Sequence, residues 1–352
     1  MAAIPEQQTS LWVDSPGKGA KVFLNHDVPV PTPGDKELLV KIECSGLCHS
    51  DIYNINGSHP MDVHVPGHEG VGTIVRLGER VAQAASTLRL GQRVGVKWIH
   101  ETCGTCDICE RDETSCPNQH NSGRDRPGTL QQFVVVPARN ATPIPDGISS
   151  AAAAPLLCAG LTMYSAIGKS RTRQGDWIVI QGAGGGLGHI GVQVAARRGL
   201  RVIAIDAEDK RAFCQEIGAS AFFDFRDQDL ERKIMDLTSS LGAHAVVCCA
   251  GSEAGYNQAS KLLRRGGTLV CVGLPSDTSY CLPIGPMDMV VRGLCVIGSS
   301  VGTEDEMQEL LQLASQGEVV PQVEVLPLEC FQEAIEAVRT SRAPGKLVLT
   351  MP

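Results

Sequence analysis

The sequence predicts an α/β protein in two parts, a predominantly β domain followed by a doubly wound parallel-sheet domain. Three observations predict it. The chain has 352 residues, enough to bury two apolar cores of ordinary size. Residues 1 to about 155 are rich in Gly, Pro and short β-branched runs. From about residue 175 short apolar runs alternate with helix-length segments, the pattern of βαβ crossovers.

In chain order, "ELLVKIECSG", "GVGTIVRLG", "QRVGVKW" and "QQFVVV" read as short strands with tight turns. "WIVIQ", "RVIAI", "AFFDF", "AVVCC", "TLVCVG" and "LCVIGS" read as strands buried on both faces, separated by helical segments such as "GHIGVQVAARRG" and "DKRAFCQEIG". After Ser300 come a helix, "EDEMQELLQLASQG", a strand in "VVPQVEVLPL", a helix, "ECFQEAIEAVR", and a final strand, "KLVLT". These last strands are expected to return to the first domain, which makes it discontinuous: 1–158 with 301–352, enclosing a nucleotide domain at 159–300. No internal repeat or low-complexity tract interrupts the pattern.

Composition excludes several function classes. No apolar run approaches the roughly eighteen residues that would span a bilayer, and "MAAIPEQQTSLWV" lacks the marks of a signal or transit peptide, so a cytoplasmic protein with no membrane partner is expected. A net charge of −8 without a dense basic run argues against nucleic acid and leaves a small molecule as the expected partner. Fourteen cysteines in a reducing compartment are read first as metal ligands, not disulfides.

After "WIVIQ" comes "GAGGGLGHIG". Its turn, Gly182, Gly184, Gly185, Gly186, Leu187 and Gly188, is one residue longer than the usual loop and lets backbone N–H groups approach a pyrophosphate at a helix N-terminus. The literal G-x-G-x-x-G match at Gly186, Gly188 and Gly191 lies within the helix and is read as accidental. Asp206 ends the next strand, where a carboxylate accepts from the adenosine ribose hydroxyls and repels a 2′-phosphate, which favours NAD over NADP.

"ETCGTCDICERDETSCPN" places Cys103, Cys106, Cys109 and Cys116 at C-x2-C-x2-C-x6-C spacing. Four thiolates fit a closed, tetrahedral structural zinc site with no vacancy for substrate. A catalytic metal needs an open position, and "GLCHSD" with Cys48, "VPGHEGVG" with His68 and "APLLCAGLT" with Cys158 supply a Cys2His set expected at the domain cleft. That ligand set is the one known from alcohol dehydrogenase itself, so the agreement is not independent.

Taken in order, "GLCHSD", "PGHEGVG", the four-cysteine loop, "LCAGLT" and "GAGGGLG" resemble the zinc-dependent medium-chain alcohol dehydrogenases, particularly the yeast and fungal type. The resemblance covers nearly the whole chain. It implies a GroES-like catalytic domain and a Rossmann domain, two Zn2+ per chain, NAD(H), and a homo-oligomer, dimer or tetramer. Zinc in such enzymes lowers the pKa of an alcohol so that hydride passes to the nicotinamide. The resemblance further implies Cys48, His68 and Cys158 on the catalytic zinc, Glu69 approaching it during ligand exchange, Asp51 orienting the histidine, and Ser50 accepting the substrate proton. His49 and Lys346 fall where the family contacts the pyrophosphate, Lys210 where it contacts the adenosine ribose. Val272, Gly273, Leu274, Ser299, Ser300 and Val301 fall along the nicotinamide half, and Trp98 on the substrate wall.

Three departures accompany the match. Asn56 stands where the yeast-type histidine that ends the proton relay is expected, and an amide does not titrate. His59 replaces a tryptophan that narrows the pocket, implying a substrate bulkier or more polar than ethanol. The zinc loop is one residue shorter before Cys116. Two other readings remain: a relative that reduces a conjugated C=C or iminium bond, and a non-catalytic nucleotide-binding or redox-sensing protein.

Overall fold

Strand Glu37–Leu47 organises the first half of the molecule, since three other strands pair with it and its middle alternates between core and solvent. Leu38, Leu39, Val40, Ile42, Cys44 and Leu47 are buried while Lys41 and Glu43 reach solvent. In this computed structural model, which describes residues 3–275, 277, 279–342 and 345–352, that strand pairs antiparallel with Gly70–Leu77, from Leu38 opposite Leu77 to Ser45 opposite Gly70. Its beginning also pairs with Phe133–Pro137 and its end with Lys346–Thr350. Val323–Pro327 extends the sheet on one side, and Arg93–Val96 and Thr142–Pro143 on the other. One core lies among Leu38, Val40, Ile42, Ile74, Val94 and Val134, and a second among Leu11, Leu47, Ile52, Leu130, Phe331 and Leu347.

A short hairpin, Ile99–Glu101 against His120–Asn121, closes the loop that carries the four cysteines. Arg139 ties the start of that loop by donating to the Thr102 carbonyl and hydroxyl. The helix Glu304–Ser315 begins in a capping box, Thr303 Oγ1 accepting from the Glu306 N–H and the Glu306 carboxylate from the Thr303 N–H. The Glu304 carboxylate pairs with Lys97 and accepts from Thr142 Oγ1, so two neighbouring strands of the sheet hold the start of the helix.

The second half is a six-stranded, wholly parallel sheet in the order 221–224, 201–206, 177–181, 243–248, 263–271, 295–298. The chain starts in the middle and winds outward in both directions, which places a topological switch between 177–181 and 243–248. Burial on both faces explains the unbroken apolar runs: Ile178, Val179, Ile180, Val202, Ile203, Val246 and Val247 have no exposed surface. Leu230, Ile234, Tyr256, Ala259 and Leu262 cover the sheet from flanking helices. The α/β class expected from the sequence is therefore the one found.

By contacts the chain divides into two compact units, Met1–Cys158 with Thr303–Gln316 and Pro321–Pro352, and Ala159–Gly302 with Gly317–Val320. Among the described residues no single helix is long and apolar enough to cross a membrane.

The hairpin carries a pH-sensitive group. His100 is buried with Nδ1 3.4 Å from Ser122 Oγ; burial pushes its pKa down to about 4, Arg126 and His120 adding to the shift and Asp125 opposing it. The unfolded chain binds the proton first, so the stability this group contributes is full above about pH 6.5 and is lost as pH falls towards the folded value. The loss at pH 5 is about 2 kcal/mol. Chemical denaturation at pH 7 and pH 5 is expected to show a smaller pH-dependent loss in His100→Gln than in the wild type; equal losses would place the acid sensitivity elsewhere.

Candidate functional site

Sheet register brings the predicted ligands together. Ser45 lies opposite Gly70 and Leu47 opposite Leu347, so the residues just past these pairs, Cys48, His68, Glu69 and Lys346, converge at one end of the sheet. Cys158 ends the 3-10 turn Ala154–Leu157. One donor atom from each of Cys48, His68, Glu69 and Cys158 lies within 4.8 Å of every other. Gly67 adopts φ +102° in the turn that presents His68, and a Cβ there would collide with Leu130. Gly46 leaves the space that the Glu69 carboxylate occupies, since a Cβ on it would overlap Glu69 Oε2.

Asp51 fixes the centre of the cluster. Its carboxylate has no exposed surface and accepts from the Cys48 N–H at 2.9 Å, the Gly67 N–H at 3.0 Å and His68 Nδ1 at 3.0 Å. In the neutral imidazole, the form that can ligate a metal, the proton is thereby placed on Nδ1 and Nε2 presents its lone pair. That atom is buried without a partner, and so is Glu69 Oε2. Buried acceptors are normally satisfied. Two thiols and an imidazole lone pair around a small space suit a borderline-soft divalent cation such as zinc, so the residues fit the metal that the sequence implied.

The electrostatics point the same way. A hydrogen bond from Cys158 outweighs burial and, with the fields of Lys346 and His68, holds the Cys48 thiol well below its ordinary pKa. Cys158 is raised, first by that same hydrogen bond and then by burial. The pair thus carries one thiolate before any metal arrives. Burial disfavours a charged His68, but Asp51 and the Cys48 sulfur outweigh it and raise the imidazole pKa, so the metal-free ring holds a second proton on Nε2 that a bound cation would displace. Lys346, expected on a pyrophosphate, is buried here and donates to Glu69 Oε1 at 2.5 Å and to the Leu47 carbonyl at 3.2 Å. Burial opposes its charge, yet Glu69, Cys48 and Cys158 outweigh that cost and raise its pKa.

Around this cluster, Ser50 Oγ lies 3.8 Å from the Cys48 sulfur, and the Trp98 ring stands edge-on to His68 with centroids 5.0 Å apart. Asn56 is exposed at the end of helix His49–Ile55, its Oδ1 accepting from the Ser58 N–H at 2.9 Å. Tyr53 lies on the same helix as Ser50, with Asn56 as the C-cap. Its ring lies 6.3 Å from that of His49 and 5.3 Å from that of His59, and the i, i+3 spacing puts it on one helix face with Ser50.

The four-cysteine loop is equally convergent. The sulfurs of Cys103, Cys106, Cys109 and Cys116 lie within 4.8 Å of one another. The Thr105 N–H, followed by the thiol and N–H of Cys106, lowers the Cys103 thiol to about 5, an electron-rich position prepared for a cation. Asp112 Oδ1 accepts from the Thr114 N–H at 3.0 Å and Gln119 Nε2 donates to the Cys116 carbonyl at 3.2 Å, which shapes the longer limb.

The remaining predicted residues, His49 and Lys346 excepted, belong to the parallel-sheet unit and line the carboxyl ends of its strands. The Gly182 and Ala183 N–H groups donate to the Ile205 carbonyl at 2.9 and 3.2 Å, anchoring the turn of Gly182, Gly184, Gly185, Gly186 and Leu187 to the neighbouring strand. Gly188 opens the helix and approaches the Gly182 carbonyl so closely that a Cβ would not fit. Asp206 accepts from the Gly184 N–H at 2.8 Å and the Ala207 N–H at 2.7 Å, with Lys210 Nζ at 3.5 Å. Val272 and Gly273 both donate to the Cys248 carbonyl, and Leu274 is exposed beside them. Ser299 Oγ is buried without a partner, Ser300 is exposed, and Val301 holds a positive φ of 25°.

Asp51→Asn removes the charge and one acceptor while keeping the shape. Metal affinity at the Cys48–His68–Cys158 cluster is expected to fall by about 10–100-fold, read as faster zinc loss to a chelator with the four-cysteine loop unaffected. Equal retention in variant and wild type would mean that Asp51 does not orient the ligand.

Comparison with known proteins agrees with this geometry. The "Alcohol dehydrogenase GroES-like domain" family matches residues 34–146, and the "Zinc-binding dehydrogenase" family matches residues 186–316. "Alcohol dehydrogenase 2" of Emericella nidulans is 39% identical over an alignment of 365 residues that covers 99% of this chain and 98% of that protein. "Alcohol dehydrogenase" of Schizosaccharomyces pombe is 35% identical, with 99% of both chains covered. The solved structure of acetophenone reductase from Geotrichum candidum in complex with NAD superposes with a TM-score of 0.85 at 29% identity, covering 99% of this chain and 98% of that one. Full-length similarity, a GroES-like half and a parallel-sheet half together establish that this chain belongs to the zinc-type, medium-chain alcohol dehydrogenase family.

Proposed function

We propose that the protein is a zinc- and NAD(H)-dependent alcohol dehydrogenase or carbonyl reductase. The observation that carries the reading is the buried, partnerless Nε2 of His68, aimed among two thiols and held in its tautomer by Asp51. Zinc bound there supplies Lewis acidity towards an alcohol or carbonyl oxygen, and the nicotinamide gives or takes the hydride. Cys48, His68 and Cys158 hold that ion, leaving a position open. Glu69 is the neighbour that approaches during ligand exchange. Cys103, Cys106, Cys109 and Cys116 hold a second, structural ion, closed to substrate.

Ser50, beside Cys48, is the residue placed to take the hydroxyl proton. Trp98 forms one wall of the pocket and His59 another. A partly exposed imidazole in place of a large indole supports a substrate bulkier or more polar than ethanol. The Asp206 carboxylate supports NAD over NADP, because a 2′-phosphate brought to its ribose site meets a negative charge that Lys210 offsets only in part. Reduced thiols as ligands fit a cytoplasmic enzyme. A homo-oligomer is supported by the edge strand Cys295–Gly298 and the nearby helix Pro286–Arg292, on which Met287 and Val290 are 74% and 82% exposed.

Metal analysis is expected to find about two zinc ions per chain. Cys48→Ala is expected to keep NADH binding and the structural ion while carbonyl reduction falls by about 10³-fold or more. One zinc in the wild type, or undiminished reduction in the variant, would contradict the assignment. Against a panel of aliphatic, aromatic and terpenoid aldehydes, kcat/KM is expected to favour NADH over NADPH and larger aldehydes over acetaldehyde.

A further inference from the structure

We propose that Lys346 is a positioning residue that keeps Glu69 displaceable at the metal cluster. The inference rests on the reading above, that Cys48, His68 and Cys158 hold a divalent ion. Two thiolates and a carboxylate carry three negative charges against the two positive charges of the ion. Lys346, with 6% of its side chain exposed and 2.5 Å from Glu69 Oε1, balances those three charges together with the ion, while the Asp51 carboxylate is met by its own three N–H donors. Its ammonium also donates to the Leu47 carbonyl at 3.2 Å, so the cation is fixed by the backbone on the same strand that presents Cys48.

The two oxygens of Glu69 are then unequal. Oε1 is committed to a charge-assisted hydrogen bond. Oε2 is buried, has no partner, and stands where Gly46 alone leaves room. A carboxylate whose charge is already met by lysine is a weak ligand, and a substrate oxygen can compete with it. Without the ammonium, and with His68 neutral as a ligand, the metal is the cation left among the described residues to satisfy the buried carboxylate. Glu69 would then become a firm fourth ligand and close the open position. Lys346 in this view serves the metal centre, whatever part it takes in coenzyme binding.

The test uses the full chain with cobalt(II) exchanged into the cluster and imidazole as the probe of the open position, followed by the visible ligand-field spectrum. Lys346→Met is expected to weaken imidazole binding by about tenfold or more, with the cobalt retained. Lys346→Arg, which keeps the charge, is expected to restore most of the affinity. The double variant Lys346→Met with Glu69→Gln removes both charges of the buried pair, so it avoids the unpaired carboxylate that could prevent folding of the single variant; its imidazole affinity is expected to match the wild type. Unchanged imidazole affinity in Lys346→Met, or a gain of about tenfold in the double variant, would overturn the proposal. The first result would mean that lysine does not restrain Glu69, the second that Glu69 already fills the position despite it. A spectrum without thiolate-to-cobalt charge transfer at this cluster would instead sink the metal assignment on which the proposal rests.

Discussion

A buried carboxylate with three N–H donors around it is the constraint on which the rest of the site depends. Unpaired, the Asp51 charge would cost several kcal/mol in the interior. It is tolerated because the Cys48 N–H, the Gly67 N–H and His68 Nδ1 all point at it. Those three donors come from the start of one helix and from the turn before a strand, so satisfying one carboxylate fixes the separation of two ligand-bearing segments. The same contact decides which nitrogen of His68 carries a proton, and therefore which one faces the thiols. Folding and ligand chemistry are the same interaction at this point.

The sheet does the rest of the positioning. Antiparallel pairing of Glu37–Leu47 with Gly70–Leu77 and with Lys346–Thr350 sets Cys48, Glu69 and Lys346 side by side although they are far apart in sequence. The result is a buried succession of carboxylate, imidazole, thiolate, carboxylate and ammonium, in which Asp51 is met by N–H donors and Glu69 by Lys346. A comparable logic governs the parallel-sheet unit. Asp206 uses both oxygens to hold the Gly184 and Ala207 N–H groups, so the glycine turn and the following loop take their shape from the carboxylate proposed to face a ribose.

Much of this was legible in the sequence, for physical reasons that can be named. Strands buried on both faces, such as Trp177–Gln181 and Arg201–Asp206, leave unbroken apolar runs that alternate with helices, and a parallel sheet follows from them. Four cysteines within one loop need only local geometry to converge, so their spacing sufficed. Cys48, His68 and Cys158 were singled out from fourteen cysteines and nine histidines by their flanking motifs, and the fold brings the three together. Local reasoning was weakest for contacts made by long-range register. Nothing in the sequence places Lys346 against Glu69, 277 positions away, because that contact exists only through strand pairing. Nor does local reasoning indicate that Gly46 must lack a Cβ to admit the Glu69 carboxylate. The reading of Asn56 relied on counting along a motif. In the fold its amide oxygen accepts from the Ser58 N–H, a local turn contact that counting along a motif does not indicate.

The measurement that tests the central claim most directly is an anomalous difference map at the zinc absorption edge from crystals of the full chain. The account predicts a peak about 2.3 Å from the sulfurs of Cys48 and Cys158 and about 2.0–2.1 Å from His68 Nε2, in addition to one among the four cysteines of the loop. A single peak, confined to Cys103, Cys106, Cys109 and Cys116 in protein isolated without chelator, would contradict it.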